Sequence, residues 1–152
     1  TSILEARARW GLTADAVTTA QLRDIADAAA GDARVAISIL RNAARRAQRT
    51  TAATITDEIV AEAVPAGRSA VHRRTLDTLT PHQRAVYEIV EDAGRIDPST
   101  LYRRYREAVD DPKTDRTVRN YLGKMVQYDL LAAEGTSRDR RYRVVEPAAD
   151  ED

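Results

Sequence analysis

Apolar residues recur at helical spacing through most of this chain, and the punctuation between the runs is clear. Leu22, Ile25, Ala26 and Ala29 fall at i, i+3, i+4 and i+7. Just ahead of them, Thr18-Thr19-Ala20-Gln21 is a capping box, in which a Thr hydroxyl and a Gln amide three residues on satisfy each other's orphan backbone donors. The pattern predicts a helix from Thr18, closed at Gly31, where a left-handed residue can end the last turn. Asp32 caps the next predicted helix. It carries Ala36, Ile39, Leu40, Ala43 and Ala47 on one face and Arg41, Arg45 and Arg49 elsewhere. Thr56 opens a third, with Ile55 and Val60 placed as a hydrophobic staple and Ile59 and Ala63 completing the stripe; Pro65 and Gly67 are expected to close it. Residues 2–10 form a short Ala/Arg-rich helical segment stopped by Gly11.

Residues 66–79 contain Arg68, His72, Arg73 and Arg74 and good helix formers but no strong apolar face, so they read as a linker that can itself be helical. Thr80-Pro81-His82-Gln83 is a second capping box, with Pro at the first helical position where its missing donor costs nothing. Val86, Ile89, Val90 and Ala93 follow at helical spacing up to Gly94. Asp97-Pro98 repeats the start signal for a helix with Leu101, Tyr105, Ala108 and Val109 inward, and Asp111-Pro112 breaks the chain again because a residue before proline is pushed out of the helical region. Thr114 caps a third helix. Its apolar positions Val118, Tyr121, Leu122 and Met125 leave Arg116, Asn120, Gly123 and Gln127 directly opposite. After it the period changes to two. Residues 130–134, the turn-rich Gly135-Thr136-Ser137-Arg138-Asp139, and residues 140–145, where Tyr142 and Val144 alternate with Arg141 and Arg143, predict a hairpin with a basic outer face. Three helices followed by a basic hairpin is the order of a winged helix-turn-helix domain. The expected fold class is therefore mainly α: a helical domain over 1–65, the linker 66–79, a winged helix over 80–146, and an acidic tail, 147–152, expected to be disordered.

Composition narrows the chemistry. The 152 residues include one Trp, six Tyr and no Phe, so Ala, Leu, Ile and Val must fill the cores. The absence of Cys excludes disulfides, thiolate zinc sites and cysteine nucleophiles. His72 and His82 alone make neither a metal cage nor a triad, and read as surface or capping residues; Trp10 reads as a core anchor. The pairs Glu91-Asp92 and Asp110-Asp111 lie beside helix ends, where capping and solvation explain them. No apolar run approaches the 18 residues of a membrane span, and the first ten residues lack the apolar centre of a signal peptide, so a cytoplasmic protein is expected.

The net charge of zero is unevenly spread. Residues 1–65 hold 8 Arg and 8 acidic residues, residues 66–145 hold 16 Lys+Arg against 12 acidic, and residues 146–152 add four acids. Only Lys113 and Lys124 among the 24 basic residues are lysines; the guanidinium fork suits phosphates and guanine edges, although GC-rich coding also favours Arg. Arg41, Arg45, Arg46 and Arg49 gather toward the C-terminal end of their helix, where the macrodipole favours cations, so helix stability is expected to explain them without a ligand. On the third helix of the winged domain, Arg116, Thr117, Arg119, Asn120, Lys124 and Gln127 supply the side chains that read base edges and phosphates in a major groove, and Gly123 permits close approach. Arg138, Arg140 and Arg141, expected at the hairpin tip, would meet phosphates or a narrow minor groove. The same pattern is compatible with a solvated polar face or a protein-binding winged helix.

The run Ala29-Ala30-Gly31-Asp32-Ala33-Arg34-Val35-Ala36-Ile37 resembles the sensor-two helix of archaeal replication initiators related to origin recognition complex subunit one and cell-division-cycle protein six. Asp110-Asp111-Pro112-Lys113-Thr114-Asp115-Arg116-Thr117-Val118-Arg119-Asn120-Tyr121-Leu122 resembles the start of their winged-helix recognition helix, particularly in haloarchaeal members. The resemblance implies an AAA-plus lid over the first 65 residues, a winged helix after residue 80, and double-stranded origin DNA as partner, with the replicative helicase or another initiator subunit as further partners. It assigns Arg34 to the nucleotide phosphates, ATP or ADP being the cofactor of a full-length initiator. No Gly-x-x-x-x-Gly-Lys-Ser/Thr loop occurs in the sequence, so no cofactor and no enzymatic activity are expected of this chain alone. The missing core fits a C-terminal fragment of an initiator or a naturally shortened relative, and a start at Thr1 rather than Met suggests a fragment or a processed chain. The other readings are a module docking on a replication partner and a winged-helix transcription regulator, the latter lacking a heptad long enough to dimerise.

Overall fold

The computed structural model describes residues 2–13 and 15–146, the side chain of Trp10 excepted, so the expected core role of Trp10 and the acidic tail 147–152 lie outside the described residues. The described residues form two compact units, 2–71 and His72–Glu146.

The first unit contains α1 (Ser2–Gly11), α2 (Thr19–Ala28), α3 (Ala33–Arg49) and the larger part of α4 (Asp57–Asp77). Its core is aliphatic and small: Leu4, Leu22, Ile25, Ala36, Ile39, Leu40, Ala43, Ile55, Val60 and Ala63 are buried in one cluster. The capping box at Thr18 forms in both directions, with the Thr18 hydroxyl accepting from the Gln21 N–H at 3.1 Å and Gln21 Oε1 accepting from the Thr18 N–H at 2.9 Å. The other end of the same amide donates to the Ile55 carbonyl at 2.8 Å and to Asp57 at 2.9 Å, so the buried Gln21 also ties the start of α4 to the start of α2.

The expected stop at Pro65 does not occur: α4 runs through Pro65 and Gly67 as far as Asp77. An interior proline forfeits one helical N–H and costs about 3 kcal/mol in an isolated helix. Here packing overrides that preference. Val60, Ala63 and Gly67 share one face at i, i+3 and i+7, all buried. A Cβ at Gly67 would fall 2.6 Å from Ile39 Cγ1 and 2.7 Å from the Ile39 backbone, so glycine is what lets α4 touch α3 this closely.

The second unit holds α5 (Pro81–Ala93), α6 (Pro98–Ala108), α7 (Asp115–Gln127), and an antiparallel hairpin of β1 (Leu131–Glu134) and β2 (Arg141–Val144) paired Leu131↔Val144 through Glu134↔Arg141. Val86, Val90, Leu101, Tyr105, Val118, Leu122, Met125, Leu130 and Leu131 make its core, with Ala108 exposed rather than inward. Ile96, between α5 and α6, exchanges both backbone hydrogen bonds with Tyr142, adding a third strand-like rung to the wing that no periodicity marked. Residues 66–79 are not a free linker. Gly67 and Ser69 are buried in the first unit, whereas Leu76 and Leu79 pack half-buried on the second core, where the Leu76 carbonyl accepts from the Arg84 guanidinium at 2.7 Å.

Candidate nucleic-acid interface

α7 is set by its cap, its apolar stripe and a fastening from below. Thr114 is the N-cap: its hydroxyl accepts from the Thr117 N–H at 3.2 Å and lies 3.0 Å from the Thr117 hydroxyl. Thr117 is thereby half-buried and engaged in capping. Val118, Leu122 and Met125 face the core, and Arg116, Asn120, Gly123 and Gln127 lie opposite, exposed, with Arg119 and Lys124 also exposed to either side. The acid of the first turn, Asp115, is taken by Arg106 at 2.6 Å. None of Arg116, Arg119 and Lys124 makes an ion pair with a described residue. A Cβ at Gly123 would meet nothing within 4 Å, so no internal contact demands glycine there.

The turn before α7 hangs on Tyr105. This side chain is 1% exposed, and its hydroxyl accepts from the Lys113 N–H at 2.9 Å while lying 2.7 Å from His82 Nδ1. The one hydroxyl thus joins the Lys113 backbone, from which it accepts, to the His82 ring, with which it shares a second hydrogen bond. His82 is thus a half-buried internal partner and not the surface or capping residue expected from the sequence. Nothing in the spacing of His82, Tyr105 and Lys113 announces this chain, because it joins three segments that only the tertiary fold brings together.

The wing divides its arginines into two sets. Glu134 binds both Arg95 and Arg143, the latter at 2.5 Å, and the Arg143 hydrogen bond foremost holds its carboxyl below the usual carboxylate range. Half of the expected basic outer face of β2 is therefore neutralised. Arg138, Arg140 and Arg141 are exposed and make no close ion pair with a described acid, Arg141 acting only through its charge on Asp97, and Arg141 stands in β2 opposite Glu134 rather than at the tip. Gly135 closes the turn at φ +78°, where a Cβ would fall 2.6 Å from the Asp139 carbonyl oxygen.

In the first unit Arg34 is held by its own helix cap. Its backbone N–H, Nε and Nη2 all donate to the Asp32 carboxylate, at 2.9, 3.2 and 2.8 Å, and the side-chain bond above all pulls Asp32 below its ordinary value. Among the described residues no group of His, Cys, Asp and Glu is placed to hold a metal ion, and no helix is long and apolar enough to cross a membrane.

Residues 1–64 match the Cdc6 AAA+ ATPase-type lid domain. The chain is 52% identical over 147 residues to ORC1-type DNA replication protein 9 of Halobacterium salinarum, covering 97% of this chain and 42% of that protein. The chain belongs to the ORC1/Cdc6 family. ORC1-type DNA replication protein 1 of the same organism is 45% identical over 118 residues, 78% of this chain and 38% of that protein, so this ORC1/Cdc6 chain spans less than half the length of these relatives. Among solved structures, the Aeropyrum pernix ORC1 protein in complex with DNA superposes with a TM-score of 0.67 at 24% identity, covering 95% of this chain and 42% of that one. The Aeropyrum pernix ORC2 protein in its ADPNP–ADP complexes gives 0.52 at 22% identity, over 99% and 42%. Both likenesses show the fold: a lid followed by a winged helix. No phosphate-binding loop of an ATPase core occurs in the sequence.

Proposed function

We propose that this ORC1/Cdc6-family chain binds double-stranded DNA at replication origins through its second unit, with α7 in the major groove and the wing on the flanking backbone or minor groove. The observation that carries the reading is the face of α7. Arg116, Asn120 and Gln127 stand in one exposed row, flanked by Arg119 and Lys124 and unclaimed by described acids, around a glycine that no internal contact requires. An Arg fork fits guanine O6 and N7, and an Asn or Gln amide fits adenine N6 and N7. A mid-helix glycine costs helix stability; on an exposed face its return is a backbone able to approach a surface closely. The DNA complex reported for the Aeropyrum relative supports the same partner. Thr117 contributes by capping α7, and its reach toward phosphate is secondary.

The nucleotide role belongs to a longer protein. Arg34 is the residue of this chain that the family resemblance assigns to nucleotide phosphates, and turning to a triphosphate requires it to leave Asp32. We infer that the chain by itself neither binds ATP tightly nor hydrolyses it, since a single exposed ion pair adds little after ordering costs. Fluorescence anisotropy with origin-like and scrambled duplexes tests the main reading. Tighter binding to the origin-like duplex, lost on Asn120→Ala, is the expected result; equal failure on both duplexes overturns it in favour of a docking module for another protein.

A further inference from the structure

We propose that the outward face of α3 is a second, sequence-independent contact for the phosphate backbone of duplex DNA, separate from α7 and the wing. Residues 1–65 contain 8 Arg and 8 acidic residues, but they are segregated: α3 holds Arg34, Arg41, Arg45, Arg46 and Arg49 and no acid in its 17 residues. Arg34 is taken by Asp32, and Arg46 pairs with Glu62 at 3.3 Å. Arg41, Arg45 and Arg49 remain, all exposed and none in an ion pair with a described residue.

Their spacing is informative. At i, i+4 and i+8 they form one row opposite the buried Ala36, Ile39, Ala43 and Ala47, about 6 Å apart along the axis and about 12 Å end to end. Like charges at i, i+4 repel, so the row destabilises the helix that carries it. The macrodipole compensates only within the last turn, which reaches Arg49 but not Arg41 or Arg45. A helix selected for stability alone would interleave Glu, and this one does not.

The chemistry of the face selects the occupant. Gln48 stands beside the row and Ser38 one turn before it, and the positions of the row itself carry no aromatic or large aliphatic side chain. Protein partners are held by apolar or aromatic anchors in dry pockets, whereas backbone contacts to a duplex need only cations. A row of guanidinia without an anchor fits a polyanion with closely spaced phosphates. This goes beyond the α7 reading, and either can fail while the other stands.

The experiment uses the whole 152-residue chain and a scrambled duplex, measuring affinity by anisotropy across a salt series. Combining Arg41→Gln, Arg45→Gln and Arg49→Gln is expected to weaken binding on the order of tenfold at 0.1 M salt and to flatten the log-log salt slope by about two to three. The corresponding Lys triple should keep the slope. Because Arg49 also serves the helix end, the Arg41→Gln/Arg45→Gln pair, with melting followed by circular dichroism, tests the same point with the C-terminal turn intact; a slope flattened by about one to two is expected. Unchanged slope and affinity in both Gln variants overturns the proposal, and if Asn120→Ala still removes origin preference the α7 reading survives. If the Gln variants lose binding while α7 and wing variants do not, α3 is the DNA contact and the α7 reading falls. Displacement of the wild-type chain but not the triple variant from a poly-glutamate peptide, with duplex binding unchanged, reassigns the face to an acidic protein and overturns the proposal.

Discussion

Tyr105 is a core residue by burial and a positioning residue by its hydroxyl, and the two roles separate in one substitution. Tyr105→Phe keeps the ring packed among Val86, Leu101 and Val118 but leaves the Lys113 N–H and His82 Nδ1 without their shared partner. A net loss of about 1 kcal/mol is expected in denaturant melts, together with faster amide exchange at Lys113 than at Leu122; uniform acceleration across α7 would mean the hydroxyl matters only globally. Gly123 gives the opposite dissociation. Gly123→Ala adds a methyl into open space on a helix, so stability should rise by about 0.5–1 kcal/mol while affinity for duplex falls. A variant both more stable and equally tight would remove the case for close approach. Asp97, the N-cap of α6, is held below its ordinary value of 3.8 first by the Thr100 hydroxyl and then by the Thr100 N–H. A carboxylate whose folded value is depressed stabilises fully above its unfolded value, and that contribution is lost as pH falls below 3.8 through the folded value. Asp97→Asn, which still caps, should flatten this acid limb of a stability-versus-pH curve with little loss at pH 7, whereas Asp97→Ala should cost about 1 kcal/mol there.

At the scale of elements, α7 and the wing should act differently on DNA. Arg116, Arg119 and Asn120 lie in the first half of α7, the end that helix-turn-helix proteins direct at base edges. Replacing Arg116 or Asn120 by Ala should cost about 1–3 kcal/mol on a specific site and much less on a scrambled one. Replacing Arg140 and Arg141 together should weaken both duplexes alike and flatten the salt slope by about two. The converse pattern in the same titrations would make the wing the reader. The positions in this comparison were legible in the sequence because caps and periodicity are local: Thr18, Asp32, Thr80, Asp97 and Thr114 all cap as their spacing indicates. What escaped was set by distant partners. Pro65 reads as a stop until Gly67 is seen against Ile39, and Arg143 reads as free until Glu134 is seen to hold it together with Arg95. The Ile96 rung on Tyr142 escaped likewise, being one residue long.

Over the whole molecule the division falls between Val71 and His72, inside α4, although proline and a weak apolar pattern suggest a linker ending at Leu79. The difference has an energetic consequence. Leu76 and Leu79 are partly buried on the core of the second unit, and Arg84 holds the Leu76 carbonyl. Burying a leucine completely is worth about 1.5–3 kcal/mol, so two half-buried ones together contribute roughly 1.5–3 kcal/mol, on a domain small enough that its total stability is not many times larger. A chain of residues 72–146 should therefore melt cooperatively, and one of residues 80–146 should melt about 6 °C or more lower, at about 4–8 °C per kcal/mol for a domain of this size. Equal melting temperatures would mean that the end of α4 adds nothing to the second core. Failure of the longer piece to fold at all, while the full chain folds, would mean that the two units depend on each other and that the winged helix cannot be treated as a domain of its own.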